Sequence, residues 1–539
     1  MTTQLDQARN EKARTAAQAA VDGLAVTPTG RVQYHSRGRV LVVGDEDAQL
    51  FAARIEAPLH AQVMMTAGEA EPGVPVIGVG GRAVKATGHL GNFHVELGEA
   101  GKHNFEAVDV DLIVDISDQP LFTSELPPPG YFRHGKEPQE LDAALLELSG
   151  MVGTFEKPKF FQYDPDICAH GRSGQPGCNA CVEVCPAEAI TALAERVEVN
   201  PNLCQGGGVC AAVCPTGAME YAYPSPQDTQ QRLRGMLKAY REHDGTHPVV
   251  LFVAEEDVHA LDATPPNVLM LVVEELGSVG LDLWLSALAW GASCVLLADG
   301  DSLPVSVHKA LDDQLATVGA LLGGMGYPEN AVRLVKPAAV LPECEPAMPA
   351  LEPAAFGAME GKRTRSFFAL DHLNEQSAAE DNVIDLPIGA PFGRISVNGE
   401  ACTLCMSCTS ICPAKAVRTG DGEPKLVFHE TNCVQCGICA NACPEHAISL
   451  KACYTTDPEL RRQPATLYEE PPFHCVVCGK PFATRSVIDN MMEKLAGHYM
   501  FQNDRAKRRL MMCEDCRVVD VVQDQDAMEA GMDVRPPRQ

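Results

Sequence analysis

Fifteen of the chain's 22 cysteines fall into four runs, and each run closes on Cys-Pro. The runs end at Cys185-Pro186, Cys214-Pro215, Cys412-Pro413 and Cys443-Pro444. Three runs hold four cysteines and the second holds three. Thiolates are soft, anionic ligands suited to iron. Short Cys-x-x-Cys steps let a tight loop wrap one face of a cubane, while the cysteine before proline reaches across to a second cluster. Runs that work in pairs commit the chain to two small units, each organised about two iron–sulfur clusters.

The runs at 402–443 fit this scheme at every position. One cluster takes Cys402, Cys405, Cys408 and Cys443, and the other takes Cys433, Cys436, Cys439 and Cys412. The runs at 168–214 depart from it twice. Nine residues, instead of two, separate Cys168 from Cys178. Crossing the motifs gives Cys168, Cys178, Cys181 and Cys214 to one cluster and Cys185, Cys204 and Cys210 to the other, with Gly207 where a cysteine is expected. Three thiolates hold a 3Fe-4S cluster, or a 4Fe-4S cluster with a foreign ligand at one iron. The first is a relay; the second is an open iron site where a substrate can bind. The expected complement is three 4Fe-4S clusters plus one 3Fe-4S or 4Fe-4S cluster. His170, in the long insertion, reads as a surface histidine or a donor tuning the cluster rather than a ligand. Each Cys-Pro is followed by a repeat, Ala189, Ala218, Ala416 and Ala447 three residues after the proline and then an apolar residue. That repeat predicts a short helix begun by each proline.

A further set of cysteines has a different grammar. Cys475-x-x-Cys478 and Cys513-x-x-Cys516 flank a helix expected near 484–497, and neither pair ends in Cys-Pro. Two distant knuckles fit a closed, four-cysteine Zn2+ site whose role is structural. The doubled Cys-Pro pattern argues against zinc in the four runs. His474 adjoins the knuckle but is redundant. Cys294, Cys344 and Cys453 are unassigned, Cys294 being read as a buried residue of a strand.

The remaining chemistry is narrowed by composition. No apolar run reaches the ~18 residues of a membrane span. The N-terminus lacks a secretory pattern, so a cytoplasmic location is expected, where thiols stay reduced and serve metals rather than disulfides. A formal charge of −29 disfavours nucleic acid and anionic membranes. Gly78-Val-Gly80-Gly-Arg-Ala83 matches a dinucleotide fingerprint, but VKATGHLGNFHVEL follows it and reads as strands. Without a helix N-terminus no dipole holds a pyrophosphate. No P-loop or nucleophile triad is present.

Strand and helix patterns give an α+β multidomain chain: two ferredoxin-like bis-cluster domains, Rossmann-like α/β segments and a zinc-ribbon-like module. The expected divisions are a polar lead-in (1–29), an α/β domain (30–155), the first bis-cluster domain (160–225), a second α/β domain (226–340), a linker (341–394), the second bis-cluster domain (395–453) and the four-cysteine module (470–520). Runs such as VVLFVA and VLMLVV alternate with helical stretches, the mark of a parallel sheet.

The cysteine blocks resemble bacterial two-cluster ferredoxins. The segment around VKATGHLGNFHVEL is similar to part of HdrA, a component of the heterodisulfide reductases, and 247–336 resembles the small iron–sulfur subunit of the methyl-viologen-reducing hydrogenase. That family places cysteines in this domain; here only Cys294 stands there, so its metal site is expected to be absent. The whole layout also resembles the iron–sulfur proteins that accompany molybdenum formate dehydrogenases. These resemblances imply a multi-cluster electron carrier between redox protein partners, with a formate dehydrogenase among the candidate partners. Two alternatives stay open. One is an enzyme working at an open cluster near Gly207, and the other is a maturation factor for a metalloenzyme. An electron-transfer component is favoured over a stand-alone catalyst.

Overall fold

The computed structural model describes residues 4–70, 72–98, 102, 105–261, 264–300, 303–336, 348–379, 381–420, 423–498, 501 and 503–524. The chain divides into two compact units. The first comprises Met1–Cys168 and Asn179–Ala379; the second comprises Ala169–Cys178 and Glu380–Gln539.

In the first unit, the run RVLVVG becomes the strand Arg39–Gly44, buried along nearly its whole length. It is the middle of a five-stranded parallel sheet in the order Val76–Gly78, His60–Met65, Arg39–Gly44, Leu112–Asp115, Tyr131–Arg133. Parallel strands are covered on both faces, which is why they read as unbroken apolar runs. The glycines after Val76–Gly78 lead into an antiparallel sheet of Val84–His89, Asn92–Leu97 and Glu106–Val110. No helix begins at the fingerprint, in keeping with the argument against a pyrophosphate site.

A second parallel sheet runs in the order Val268–Val273, Val249–Ala254, Cys294–Ala298, Val332–Val335. Val249 pairs with both Val268 and Cys294. The helices Leu281–Ala289 and Val305–Gly324 form crossovers between these strands. The residues expected as a polar lead-in form the helix Gln4–Asp22, which packs on Pro226–Glu242. Ala13, Ala17 and Val21, four apart, supply its buried stripe.

The expected linker is the clearest departure. Its residues 341–347 and 380 lie outside the described residues, but 362–375 form the helix Lys362–Glu375, packed on Leu281–Ala289. Ala369, Leu370 and Leu373 are buried, and so are Lys362 and Arg365. Arg365 Nε donates to Asp282 Oδ2 at 2.8 Å, with both side chains about 5% exposed. Much of the buried face is thus cationic, so composition disguised it as a solvated segment. Truncating one member of a buried pair strands the other charge. Arg365→Ala is expected to destabilise the first unit by ~3–5 kcal/mol, read from the denaturant midpoint. An unchanged midpoint would contradict this account of the helix.

The second unit carries two antiparallel three-stranded sheets. In one, Ile448–Thr455 lies between Val383–Asp385 and Gly393–Val397; in the other, Lys425–Phe428 lies between Val417–Thr419 and Ala465–Glu469. The hairpin Pro472–His474/Pro481–Thr484 and the helices Arg485–Leu495, Asp504–Leu510 and Glu514–Val522 follow. The long insertion between Cys168 and Cys178 is a small hairpin, Gly171–Arg172/Gln175–Pro176, that groups with this unit. There Asn441 Nδ2 donates to the Pro176 carbonyl at 3.1 Å. His170 is buried rather than at the surface, and its Nδ1–H donates to the Cys178 carbonyl at 3.0 Å. No described helix is long and apolar enough to cross a membrane.

Candidate metal centres

The repeat seen in the cysteine runs is also a backbone repeat. Two residues after Cys204, Cys402 and Cys433, the chain turns left-handed at Gly206, Leu404 and Gln435. It does so again at Gly208, Met406 and Gly437, which open the short helices Val209–Val213, Ser407–Ile411 and Ile438–Asn441. Gly207 therefore occupies the place of Cys405 and Cys436, between two left-handed residues. A third left-handed residue follows each Cys-Pro: Glu188, Gly217, Lys415 and His446.

That residue corrects one expectation. Proline does not start a helix here. The helix precedes each Cys-Pro, and the left-handed turn after it leads into a strand: Ile190–Ala192, Met219–Tyr221, Val417–Thr419 and Ile448–Thr455. The recurring alanine has a different use. Its N–H donates to the preceding cysteine sulfur: Ala189 to Cys185 at 3.4 Å, Ala416 to Cys412 at 3.2 Å, Ala447 to Cys443 at 3.3 Å. In the second run Thr216 takes the Ala218 N–H, and Met219 donates to Cys214 instead, at 3.4 Å. Such N–H···S bonds orient a thiolate and stabilise its charge.

In the second unit the sulfurs converge on two cavities. Cys402, Cys405, Cys408 and Cys443 line one. Cys412, Cys433, Cys436 and Cys439 line the other. Burial, and then neighbouring thiolates, push the Cys408, Cys436 and Cys439 thiols up to about 12. Buried thiols such as these, which resist ionising beside one another, suit a cationic iron core, which relieves the repulsion and takes soft donors. The residues present fit the cluster.

The first unit gathers Cys168, Cys181, Cys185, Cys204, Cys210 and Cys214 about Phe161, Ile190, Val197, Met219 and Tyr221. Burial raises the Cys185, Cys204 and Cys210 thiols, and Cys210 also feels Cys204 and Cys185. Tyr163 hydrogen-bonds Cys168. Cys178, at the end of the inserted hairpin, belongs to the second unit, where its charge opposes that of Cys436. A Cβ built on Gly207 meets no heavy atom within 4 Å. The missing thiolate therefore reflects no lack of room.

Two lysines, unmarked in the sequence, reach the first unit's cysteine loops. Lys157 Nζ donates to the carbonyls of Asn202 and Cys204, at 3.1 and 2.5 Å, and stands 5.0 Å from the centre of the Tyr34 ring. Lys362 Nζ donates to the carbonyls of Ala211, at 2.9 Å, and Ala212.

The C-terminal cysteines form a compact set. The sulfurs of Cys475, Cys478, Cys513 and Cys516 lie within 4.8 Å of one another. A tetrahedron with metal–sulfur bonds of about 2.3 Å has edges of about 3.8 Å; Cys478 and Cys513 are 3.7 Å apart. Cys475 opens a knuckle closed by Gly479 N–H on its carbonyl at 2.9 Å, with Gly479 left-handed. Cys513 and Cys516 lie at the start of Glu514–Val522. Burial pushes the Cys475 thiol up, but N–H groups of Cys478, Cys513 and Val477 together draw it down to about 6. His474 stands outside the set. Cys294 is buried in its strand and accepts from Arg333 Nη1 at 3.0 Å; Cys453 is buried in Ile448–Thr455; Cys344 lies outside the described residues.

Residues 176–218 and 401–448 each match a 4Fe-4S dicluster domain family. Over 91 residues, 16% of this chain and 42% of the relative, the chain is 30% identical to Hydrogenase-4 component A of Escherichia coli K12. Over 333 residues, 56% of this chain and 47% of the relative, it is 25% identical to indolepyruvate oxidoreductase subunit IorA of Methanothermobacter thermautotrophicus. Over 64 residues, 12% of this chain and 29% of the relative, it is 34% identical to formate hydrogenlyase subunit 2 of Escherichia coli K12. The chain spans less than half the length of these three relatives. It carries two segments that match 4Fe-4S dicluster domains and is similar to oxidoreductase and hydrogenase subunits.

Proposed function

We propose that the chain relays single electrons between redox protein partners in the cytoplasm through four clusters held by the cysteines of the Cys-Pro runs. The observation that carries this is the pair of thiol-lined cavities in the second unit, each with sulfurs contributed by two runs. When bound, each cluster takes up and gives back one electron. The protein's own part is to orient sulfur through N–H groups, exclude water from the thiolates, and offer the parallel-sheet segments as docking surfaces. A molybdenum formate dehydrogenase is the partner we propose, supported by the formate-linked relative. Zinc at Cys475, Cys478, Cys513 and Cys516 serves structure alone.

Iron, sulfide and zinc analysis with EPR on anaerobically purified protein tests the cofactors. Colourless protein containing zinc alone would sink the relay. A pull-down that returns the formate dehydrogenase apoenzyme, rather than the active enzyme, would favour the maturation role.

The open space at Gly207 supports a three-thiolate site, which we assign to a 3Fe-4S cluster. Gly207→Cys is expected to add the missing ligand, replacing the three-iron EPR signal with that of a fourth 4Fe-4S cluster. An unchanged three-iron signal would contradict the assignment. The same space favours a second reading, a 4Fe-4S cluster with an open iron. In that case the wild type already lacks a three-iron signal and its spectrum moves when small ligands are added.

A further inference from the structure

Two amines abut the cysteine loops of the first unit from opposite parts of its sequence. Lys157 lies on the strand Gly153–Pro158, which pairs with Arg31–Ser36. Its ammonium is held on the Cys204 carbonyl, while Tyr34 Oη donates to the Asn202 carbonyl at 2.6 Å. Cys204 belongs to the three-thiolate set. Lys362 opens the helix Lys362–Glu375 and is buried. Its stem crosses Gly217, where an added Cβ would come within 3.1 Å of the Lys362 Cβ. Its ammonium takes two carbonyls of Val209–Val213, the helix that bears Cys210 and ends at Cys214. Arg365, Asp282 and Glu220 stand behind it, Arg365 bonding both carboxylates. Burial draws the Lys362 amine down, while the Asp282 carboxylate and the Cys214 thiolate favour its protonated form; protonated, it makes the four groups neutral as a whole and presents its charge to the cysteine helix.

A carboxylate also acts on one cysteine of the runs in each unit, Glu188 on Cys185 in the first and Glu470 on Cys402 in the second. Glu445, which lines the same cavity, is paired with Lys494 at 2.8 Å.

We propose that Lys157 and Lys362 are positioning charges that raise the reduction potentials of the first unit's clusters, making that unit the receiving end of the relay. The proposal rests on the relay function. Adding an electron makes a cluster more negative, so a cation held in low dielectric stabilises the reduced form, and a carboxylate disfavours it. A reduced donor protein loses one electron to the second unit's clusters, the higher-potential first unit gains it from them, and an oxidised acceptor protein removes it; no bond is made or broken.

The test is a redox titration followed by EPR on the anaerobically purified full chain. Signals that survive in the double variant Cys402→Ala/Cys408→Ala and in Cys436→Ala identify the first unit. In the wild type those signals are expected to reduce at higher potential than the second unit's. Lys157→Met and Lys362→Gln are each expected to lower the reduced-to-oxidised ratio of a first-unit signal at least tenfold at fixed ambient potential. For a one-electron couple that is a downward shift of about 59 mV. Lys157→Arg and Lys362→Arg restore it, and second-unit signals do not move. Full iron content with unshifted potentials in the neutral variants would overturn the proposal, as would a first unit found at lower potential than the second. If Lys362→Gln loses iron, the half-buried Lys157→Met decides alone. A wild type without iron–sulfur signals would fail the relay itself, whereas intact clusters with unshifted variants would fail only the charge assignment.

Discussion

The double variant Cys402→Ala/Cys408→Ala is expected to lose one whole cluster, about a quarter of the bound iron, and to melt far below the wild type. Two thiolates would remain in a cavity lined by four. The surrounding core is small: Ile395, Leu404, Val417, Leu426, Phe428 and Ile448 pack with six cysteines. Units of this size do not reach stability on apolar burial alone, so ligand binding is part of folding free energy. We expect a loss on the order of 5 kcal/mol or more in the second unit. The removed side chains are themselves buried, so packing must be separated from ligation. Cys453→Ala does this, because Cys453 is fully buried in the same unit but lines neither cavity. It should keep all the iron and cost no more than an ordinary core truncation. Cys436→Ala supplies the intermediate case, since it recreates at the second unit the vacancy that Gly207 makes in the first. It should exchange a four-iron signal for a three-iron one while retaining most of the stability. Iron and sulfide per chain, together with melting followed by circular dichroism, distinguish the three. Full iron and an unchanged melt in the double variant would show that these sulfurs hold no cluster.

What could be read in the sequence follows from how local the physics is. Cluster chemistry is written in cysteine spacing, so the residues that line the two second-unit cavities could be grouped without a fold. Strands such as Val249–Ala254 and Cys294–Ala298 were visible because burial on both faces demands an unbroken apolar run. The helix Lys362–Glu375 escaped because its buried face is shared among Lys362, Arg365, Ala369, Leu370 and Leu373. A charge satisfied by a distant carboxylate leaves no sign in composition. The turn after Cys-Pro escaped for a related reason: Glu188, Lys415 and His446 adopt left-handed backbone that their side chains do not announce. Glycine at the matching position, Gly217, was the only hint. The lysines are a matter of tertiary placement, since Lys362 meets carbonyls some 150 residues away in sequence.

Removing the zinc proposed for the C-terminal module, or replacing Cys513 by alanine, is expected to unfold residues 472–524 while leaving the iron in place. The reason is the poverty of the module's interior. The core about the knuckle is Cys475, Met512 and Cys513, with Phe482 and Cys516 packed against them, and the helices add the buried side chains of Ile488, Ala506 and Leu510. Val518, Val519 and Val522 of the last helix face solvent. The helices Asp504–Leu510 and Glu514–Val522 are joined by ion pairs from Arg505 and Arg509 to Asp520 and Asp524. The pairs of half-exposed Arg505 are worth about 0–1 kcal/mol each, and for the more buried Arg509 pairs desolvation offsets much of the attraction. Three of the five residues about the knuckle are the proposed ligands themselves, and a fourth, Met512, is adjacent to one. Taking the metal away thus removes the crosslink between the knuckle and the helix. Hydrogen exchange should show loss of protection across Glu514–Val522 and the hairpin Pro472–His474/Pro481–Thr484, with the ferredoxin-type segment 401–448 unaffected. One zinc per chain in the intact protein, lost in Cys513→Ala, completes the expectation. Undiminished protection after chelation would mean that the four sulfurs cluster without bearing the fold, and iron in their place would make them a fifth redox site.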